Sequence, residues 1–301
     1  MTEVARPTPG QWLEGARPRT LPAAAAPVVA ASGLAAWVDG FSLVRALLAL
    51  AVALALQVGV NYANDYSDGI RGTDAVRVGP LRLVGSGVAD PGAVKRAAFS
   101  CFGLAAVAGL GLVLLTGHWW LLAVGAVCVL AAWYYTGGRR PYGYRGLGEV
   151  FVFVFFGLVA VCGTYYVQAG RVSTAALLTG AWVGALACAI LVANNLRDLD
   201  GDRAVGKRTL ATRFGDRGTR IFYVSLLRAA ALVMVVVALL TTSWALAGLL
   251  GLVIVLPASR RVLEGATGRD LIPVLKATGL AELVAAAAFA AGLALSGAGL
   301  R

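Results

Sequence analysis

Residues 41–68 read FSLVRALLALAVALALQVGVNYANDYSD. Beyond Arg45 the run is apolar and long enough to cross a bilayer, because about 20 residues of helix span ~30 Å of hydrocarbon. It ends in amides and acids: Asn61, Asn64, Asp65 and Asp68, with Asp74 shortly after. If the helix continues, these four are related by steps of three, four and seven and share one face. Gly69 and Gly72 then break the helix and let Asp74 fold back. Carboxylates this close to a bilayer repel one another and resist dehydration, so they require cations.

The pattern recurs. A second apolar run, near 173–195, ends in Asn194-Asn195-Leu-Arg-Asp198-Leu-Asp200-Gly-Asp202. Asn195, Asp198 and Asp202 share a helical face, whereas Asp200 points elsewhere. Six of the fifteen acidic residues fall in these two places, counting Asp74. Two halves of this kind would set the clusters face to face across a cavity, where two Mg²⁺ ions holding a diphosphate would satisfy both.

Around the clusters the chain is apolar. Hydrophobic residues make up 59%, charged residues 14%, and the mean hydropathy is +0.79. A soluble domain carries about 45–50% apolar and about 25% charged residues. We expect one all-α membrane domain over 1–301, with nine spans near 21–38, 41–63, 94–115, 118–136, 149–169, 173–195, 219–240, 243–257 and 271–297. Pro22 and Pro27 are expected to kink the first. The 38 glycines read as close helix packing in lipid. The net charge of +11 is topological. With nine spans, nearly all Lys and Arg fall in the N-terminus and loops two, four, six and eight, leaving Arg45, Arg171 and Arg301 opposite. The positive-inside rule makes the richer side cytoplasmic, and both acidic clusters lie there. Nothing suggests nucleic acid.

The remaining chemistry is sparse. Cys101, Cys128, Cys162 and Cys188 are scattered through apolar runs without metal-ligand spacing, and the one histidine, His118, begins a run beside Trp119-Trp120. This excludes a zinc site and a Ser-His triad. The polar start, Met1 to Pro9, lacks the layout of a cleaved signal. Basic residues follow each cluster: Arg77-Val-Gly-Pro-Leu-Arg82 with Ser86 after the first, Gly206-Lys207-Arg208-Thr209 after the second. Lys and Arg there would stabilise the charge that builds on a departing diphosphate. Within the spans, Arg228 and Glu282 are costly in hydrocarbon, and their spacing assigns them to no site.

Together, Asn64-Asp65-x-x-Asp68 with Asp74, Arg77-x-Gly-Pro-x-Arg82, and Asp198-x-x-x-Asp202 followed by Gly206-Lys207-Arg208-Thr209-Leu-Ala resemble the UbiA superfamily of intramembrane prenyltransferases. More narrowly they resemble its 1,4-dihydroxy-2-naphthoate polyprenyltransferase (MenA) branch. The opening Arg17-Pro18-Arg19-Thr20-Leu21-Pro22 and the loop from Tyr134-Tyr135 through Pro141-Tyr142-Gly143-Tyr144 to Glu149 fit too, with Tyr142 where that branch more often has Leu.

The resemblance implies nine helices around a lipid-accessible central cavity in the bacterial cytoplasmic membrane, capped on the cytoplasmic side. It implies Mg²⁺, two ions, held by Asn64, Asp65, Asp68, Asp74, Asp198 and Asp202, with Lys207 joining the four main Asp residues in catalysis. Asn61, Asn64, Arg77, Arg82, Ser86, Asn195 and Arg208 would hold a polyprenyl diphosphate. Tyr134, Tyr135 and Tyr144 are candidates for steadying a cation or shaping the acceptor pocket, against the alternative of an interfacial aromatic belt. Glu149 either contacts the acceptor or caps a helix. The implied reaction prenylates 1,4-dihydroxy-2-naphthoate with loss of CO₂, giving demethylmenaquinone. Siblings acting on 4-hydroxybenzoate, heme or a lipid share the metal motif. A cation-coupled transporter would instead place its charges near the midplane. A CDP-alcohol phosphatidyltransferase fails because Gly72-Thr73 stands where Ala-Arg is needed.

Overall fold

A chain this apolar satisfies its backbone polar groups internally, and helices are the local way to do so. The computed structural model describes residues 7–72 and 81–299, and no strand occurs among them. The helices are α1 (Pro9–Gly15), α2 (Leu21–Trp37), α3 (Leu43–Ile70), α4 (Pro91–Thr116), α5 (Leu121–Tyr134), α6 (Gly148–Val152), α7 (Ala160–Ala169), α8 (Thr174–Arg197), α9 (Leu199–Ala204), α10 (Leu210–Leu240), α11 (Leu249–Leu263) and α12 (Ile272–Gly299). A wide π-helical stretch, Phe153–Val159, joins α6 to α7 as one continuous rod.

Eight helical segments among the described residues are long and apolar enough to cross a membrane. The fourth of the nine expected spans, 118–136, is instead a 14-residue helix, α5. At 1.5 Å per residue it is about 21 Å long, and with its flanking turns it carries the chain from Trp120, packed on Tyr166, to Thr136, bonded to Asn64 at the other end of the bundle. The chain is therefore a multi-pass membrane protein. Pro22 departs from expectation: it occupies the first turn of α2, where its missing N–H costs nothing, so only Pro27 lies inside the helix.

Two packing groups matter for the site. In the first, α2, α7, α8, α10, α11 and α12 share one buried core around Trp182, Tyr223 and Phe289. Alanine and glycine let these helices approach closely, as expected where lipid offers no hydrophobic drive. A Cβ on Gly251 would lie 2.3 Å from Ala285 N, and one on Gly292 would lie 2.1 Å from Trp244 O. Gly292→Val is therefore expected to destabilise the fold by about 1–3 kcal/mol, read as a lower melting temperature in detergent. An unchanged melt would show that α12 can shift outward freely.

The second group packs Tyr62 and Ala63 of α3 against Val94, Ala98 and Phe102 of α4, with Leu83 and Ala89 of the intervening loop. Gly215, at φ +70°, turns the chain between a short approach at 210–214 and the long span that follows. Of the two charges that spacing left unassigned, Arg228 is exposed on α10. Glu282 is wholly buried on α12, with no hydrogen-bond partner for either oxygen among the described residues.

Candidate active site

The C-terminal ends of α3 and α8 meet at the same end of the bundle, and Tyr144 joins them. A short 3₁₀ turn, Tyr142–Arg145, carries this tyrosine. Its hydroxyl donates to Asp68 Oδ1, and Arg82 Nη2 lies 3.9 Å from the other oxygen. Lys207 Nζ sits 4.5 Å from the centre of the Tyr144 ring and 3.7 Å from Asp202 Oδ1. Arg208 adds a backbone N–H to Tyr144 O at 2.9 Å. Cation, ring and two carboxylates thus form one chain of contacts across the bundle.

Arginines frame this chain. Arg197 grips Asp198 with two hydrogen bonds, at 2.7 and 2.8 Å, and Asn194 Oδ1 with a third at 2.9 Å. Arg71 reaches from the end of α3 to the carbonyls of Thr136 and Gly138 and lies 5.8 Å from the Tyr144 ring. Thr136 in turn donates to Asn64 Oδ1 at 2.7 Å. The end of α3 is therefore tied to the α5–α6 loop through both its amide and its last basic residue.

Several expected site residues take other places. Asp65 is 0% exposed, and its two oxygens accept the backbone N–H groups of Leu83 (2.7 Å) and Val84 (3.0 Å). It pins the loop that carries Arg82. Asn61 donates to Ala16 O at 2.9 Å and Thr20 Oγ1 at 3.0 Å, fastening the elbow between α1 and α2. Tyr134 is half exposed and lies off the cavity wall; Tyr135, one residue on, lines it. The Ser86 hydroxyl turns back to Arg82 O, and the Arg208 side chain is exposed. Glu149 is buried and accepts from Asn195 at 3.0 Å, which leaves both facing each other inside the bundle. Asp74 and Arg77 lie outside the described residues. Asp200 is fully exposed beside Arg203.

Below the charged end lies a cavity of about 800 Å³, walled by α2, α3, α4, α5 and the α6–α7 rod. Its lining is mostly Ala, Val, Leu and Phe, and Asn61 and Asn64 bring the polar end of α3 to its rim. Among the described residues no three acidic, His or Cys side chains converge at metal-binding distance. The described residues that the sequence singled out as ligands, Asn64, Asp65, Asp68, Asp198 and Asp202, are all oxygen donors, without thiolate or imidazole. That chemistry suits a hard cation of the Mg²⁺ kind that keeps waters and takes oxygens from a bound phosphate.

Arg71, Thr136, Arg197 and Tyr142 carry contacts that spacing alone did not single out. Arg71 and Arg197 each follow an acidic cluster closely in sequence, and the fold makes each a clamp.

Fold and site together define a polytopic helical membrane protein with a charged mouth over an apolar chamber, a form suited to a ligand with an anionic head and a hydrocarbon tail. A model of the UbiA prenyltransferase family matches residues 22–273, and the chain belongs to that family. It is 57% identical to the 1,4-dihydroxy-2-naphthoate octaprenyltransferase of Mycobacterium tuberculosis, over 94% of this chain and 97% of that one. It is 37% identical to the Escherichia coli protein of the same name, over 98% and 99%. Among solved structures, a UbiA homolog from Aeropyrum pernix matches with TM-score 0.68 at 15% identity, covering 91% of this chain and 97% of that one. A homolog from Archaeoglobus fulgidus, bound to DMAPP and Mg²⁺, matches with TM-score 0.62 at 14% identity, covering 92% and 99%.

Proposed function

We propose that this chain, acting as one domain over 1–301, transfers a polyprenyl group from an allylic polyprenyl diphosphate to 1,4-dihydroxy-2-naphthoate. The observation that carries the reading is the junction at Tyr144, where Asp68, Lys207 and Asp202 meet directly above an apolar cavity. A diphosphate fits the mouth and a polyprenyl tail fits the chamber. The names of the relatives at 57% and 37% identity support the acceptor.

Asn64, Asp68, Asp198 and Asp202 would hold Mg²⁺, two ions in this reading, which when bound shields the diphosphate and favours its departure. The protein's own groups do the rest. Lys207 and Arg82 face the charge that grows on the leaving oxygen as the allylic carbon–oxygen bond breaks. The Tyr144 ring, held between Asp68 and Lys207, is fixed beside the ionising carbon. The electron-rich acceptor carbon bearing the carboxylate forms the new carbon–carbon bond. Its bond to the carboxylate then breaks, CO₂ leaves, and the electron pair restores the aromatic ring. No net proton is required, which suits a site without histidine. The product is the quinol form of demethylmenaquinone, with CO₂ and pyrophosphate. The site loops would face the cytoplasm and the tail would rest among membrane lipid.

The test uses the full chain in nanodiscs with labelled farnesyl diphosphate, Mg²⁺ and either dihydroxynaphthoate or 4-hydroxybenzoate. Prenylated, decarboxylated naphthoquinol is expected, and EDTA should abolish it. Product from 4-hydroxybenzoate alone would keep the diphosphate site and replace the acceptor.

A further inference from the structure

The apolar chamber has a floor. Val28, Ala49, Leu112 and Val167, from α2, α3, α4 and α7, all line it and are buried against one another, with Leu121 of α5 packed beside them. Ala49 and Asn64 both line the cavity and stand fifteen residues apart on α3. At 1.5 Å per residue the floor lies about 22 Å below the polar rim.

One helical turn above that floor, three helices carry glycine. Gly109 precedes Leu112 on α4, Gly125 follows Leu121 on α5, and Gly163 precedes Val167 on α7. All three line the cavity. Helices α4 and α7 run from the charged end towards the floor and α5 runs the other way, so each glycine lies on the rim side of its floor residue. On α7 the lining residues are Ala160, Gly163, Thr164 and Val167, at steps of three and four, so Gly163 belongs to the face turned to the chamber.

Close packing does not account for these positions. Gly157, earlier in the same rod, has the usual reason: a Cβ there would lie 2.5 Å from Gly180 O. A Cβ on Gly163 or Gly125 would meet no neighbouring group within 4 Å, and one on Gly109 would make an ordinary contact with Val52 at 3.9 Å. Gly163 also has no positive φ to explain it. Glycine weakens a helix interior, and at Gly163 neither a close approach nor a turn offsets that cost. What it leaves is width.

We propose that Gly163 is a specificity-determining residue for the length of the prenyl tail: with Gly109 and Gly125 it keeps open the last turn of the chamber, where the distal isoprene units lie. This rests on the prenyl-transfer reading above and adds which donors the chamber accepts. An extended chain covers ~3.3–3.6 Å for every three bonds, so an isoprene unit of four bonds spans about 4.5 Å. Val52, at the level of Gly109, stands twelve residues before Asn64, about 18 Å below the rim. A tail of two units ends well above that level, and a tail of four reaches it. A side chain added there takes space from the fourth unit and none from the first two.

The experiment uses the full chain in nanodiscs. It measures kcat/KM with geranyl and geranylgeranyl diphosphate, which carry two and four units, and equilibrium binding of their non-ionising thiolo analogues by calorimetry. Gly163→Leu is expected to lower kcat/KM and affinity for the four-unit donor at least ~10-fold, while both values for the two-unit donor change less than about threefold. Gly109→Leu should show the same dependence on length, and it carries the test if Gly163→Leu fails to insert. Equal losses for both donors would make Gly163 a packing residue, and the proposal falls. Unchanged use of the four-unit donor would mean that the tail leaves the chamber above the glycines, which overturns it equally. A wild-type chain that binds the analogues but forms no product removes the functional reading, whereas the binding series still decides where the tail lies.

Discussion

Asp68→Ala and Asp202→Ala are each expected to lower turnover by about three orders of magnitude, with the protein still inserted. These carboxylates are the two ends of the contact chain through Tyr144 and Lys207. Removing either takes an oxygen ligand from the diphosphate site and leaves a cation opposite without its acid. Lys207→Ala should lose less, about 10–100-fold, because Arg82 still stands beside Asp68 at the mouth. Turnover is measured with saturating Mg²⁺ and both substrates. Retention of more than a tenth of wild-type activity in both Asp variants would dismiss the site at the ends of α3 and α8.

Asp65→Ala should behave differently from its neighbour three residues on. Its carboxylate is completely buried and serves two backbone N–H groups of the loop that carries Arg82. Each buried donor left unsatisfied costs about 1–3 kcal/mol, so the loss of both should lower the melting temperature and expose the 81–89 loop to protease. Asp65→Asn keeps one acceptor oxygen and should fall between. Activity is lost in step with stability, because Arg82 is no longer delivered to Asp68. An Asp65→Ala protein with wild-type melting and protease resistance, yet no turnover, would return Asp65 to the set of metal ligands.

The contrast between Asp65 and Asp68 shows where sequence reading ran out. Helical periodicity placed Asn61, Asn64, Asp65 and Asp68 on one face, and they do lie on one helix, α3. A face about 100° wide still holds residues with different neighbours. Asn61 meets the α1–α2 elbow, Asn64 meets Thr136, Asp65 meets the 81–89 loop and Asp68 meets Tyr144. Only the packing of distant segments decides which side chain is spent on holding a loop and which is left to ligand chemistry. The same holds for the α5–α6 loop, where Tyr134 and Tyr135 are adjacent in sequence but only Tyr135 lines the cavity.

By itself the sequence determined the all-α membrane class, the approximate positions of the apolar segments, the two acidic clusters and the basic loops behind them. Those features depend on hydropathy and on local spacing, which a helix converts directly into geometry. Tertiary structure decided two other matters: that the two clusters are joined through Tyr144, and that an apolar cavity is enclosed by α2, α3, α4, α5 and the α6–α7 rod. Each of these depends on segments between about 20 and 140 residues apart in the chain. The energy that brings them together comes from close Ala and Gly packing and from buried polar pairs, and neither leaves a period that can be read along one strand of sequence.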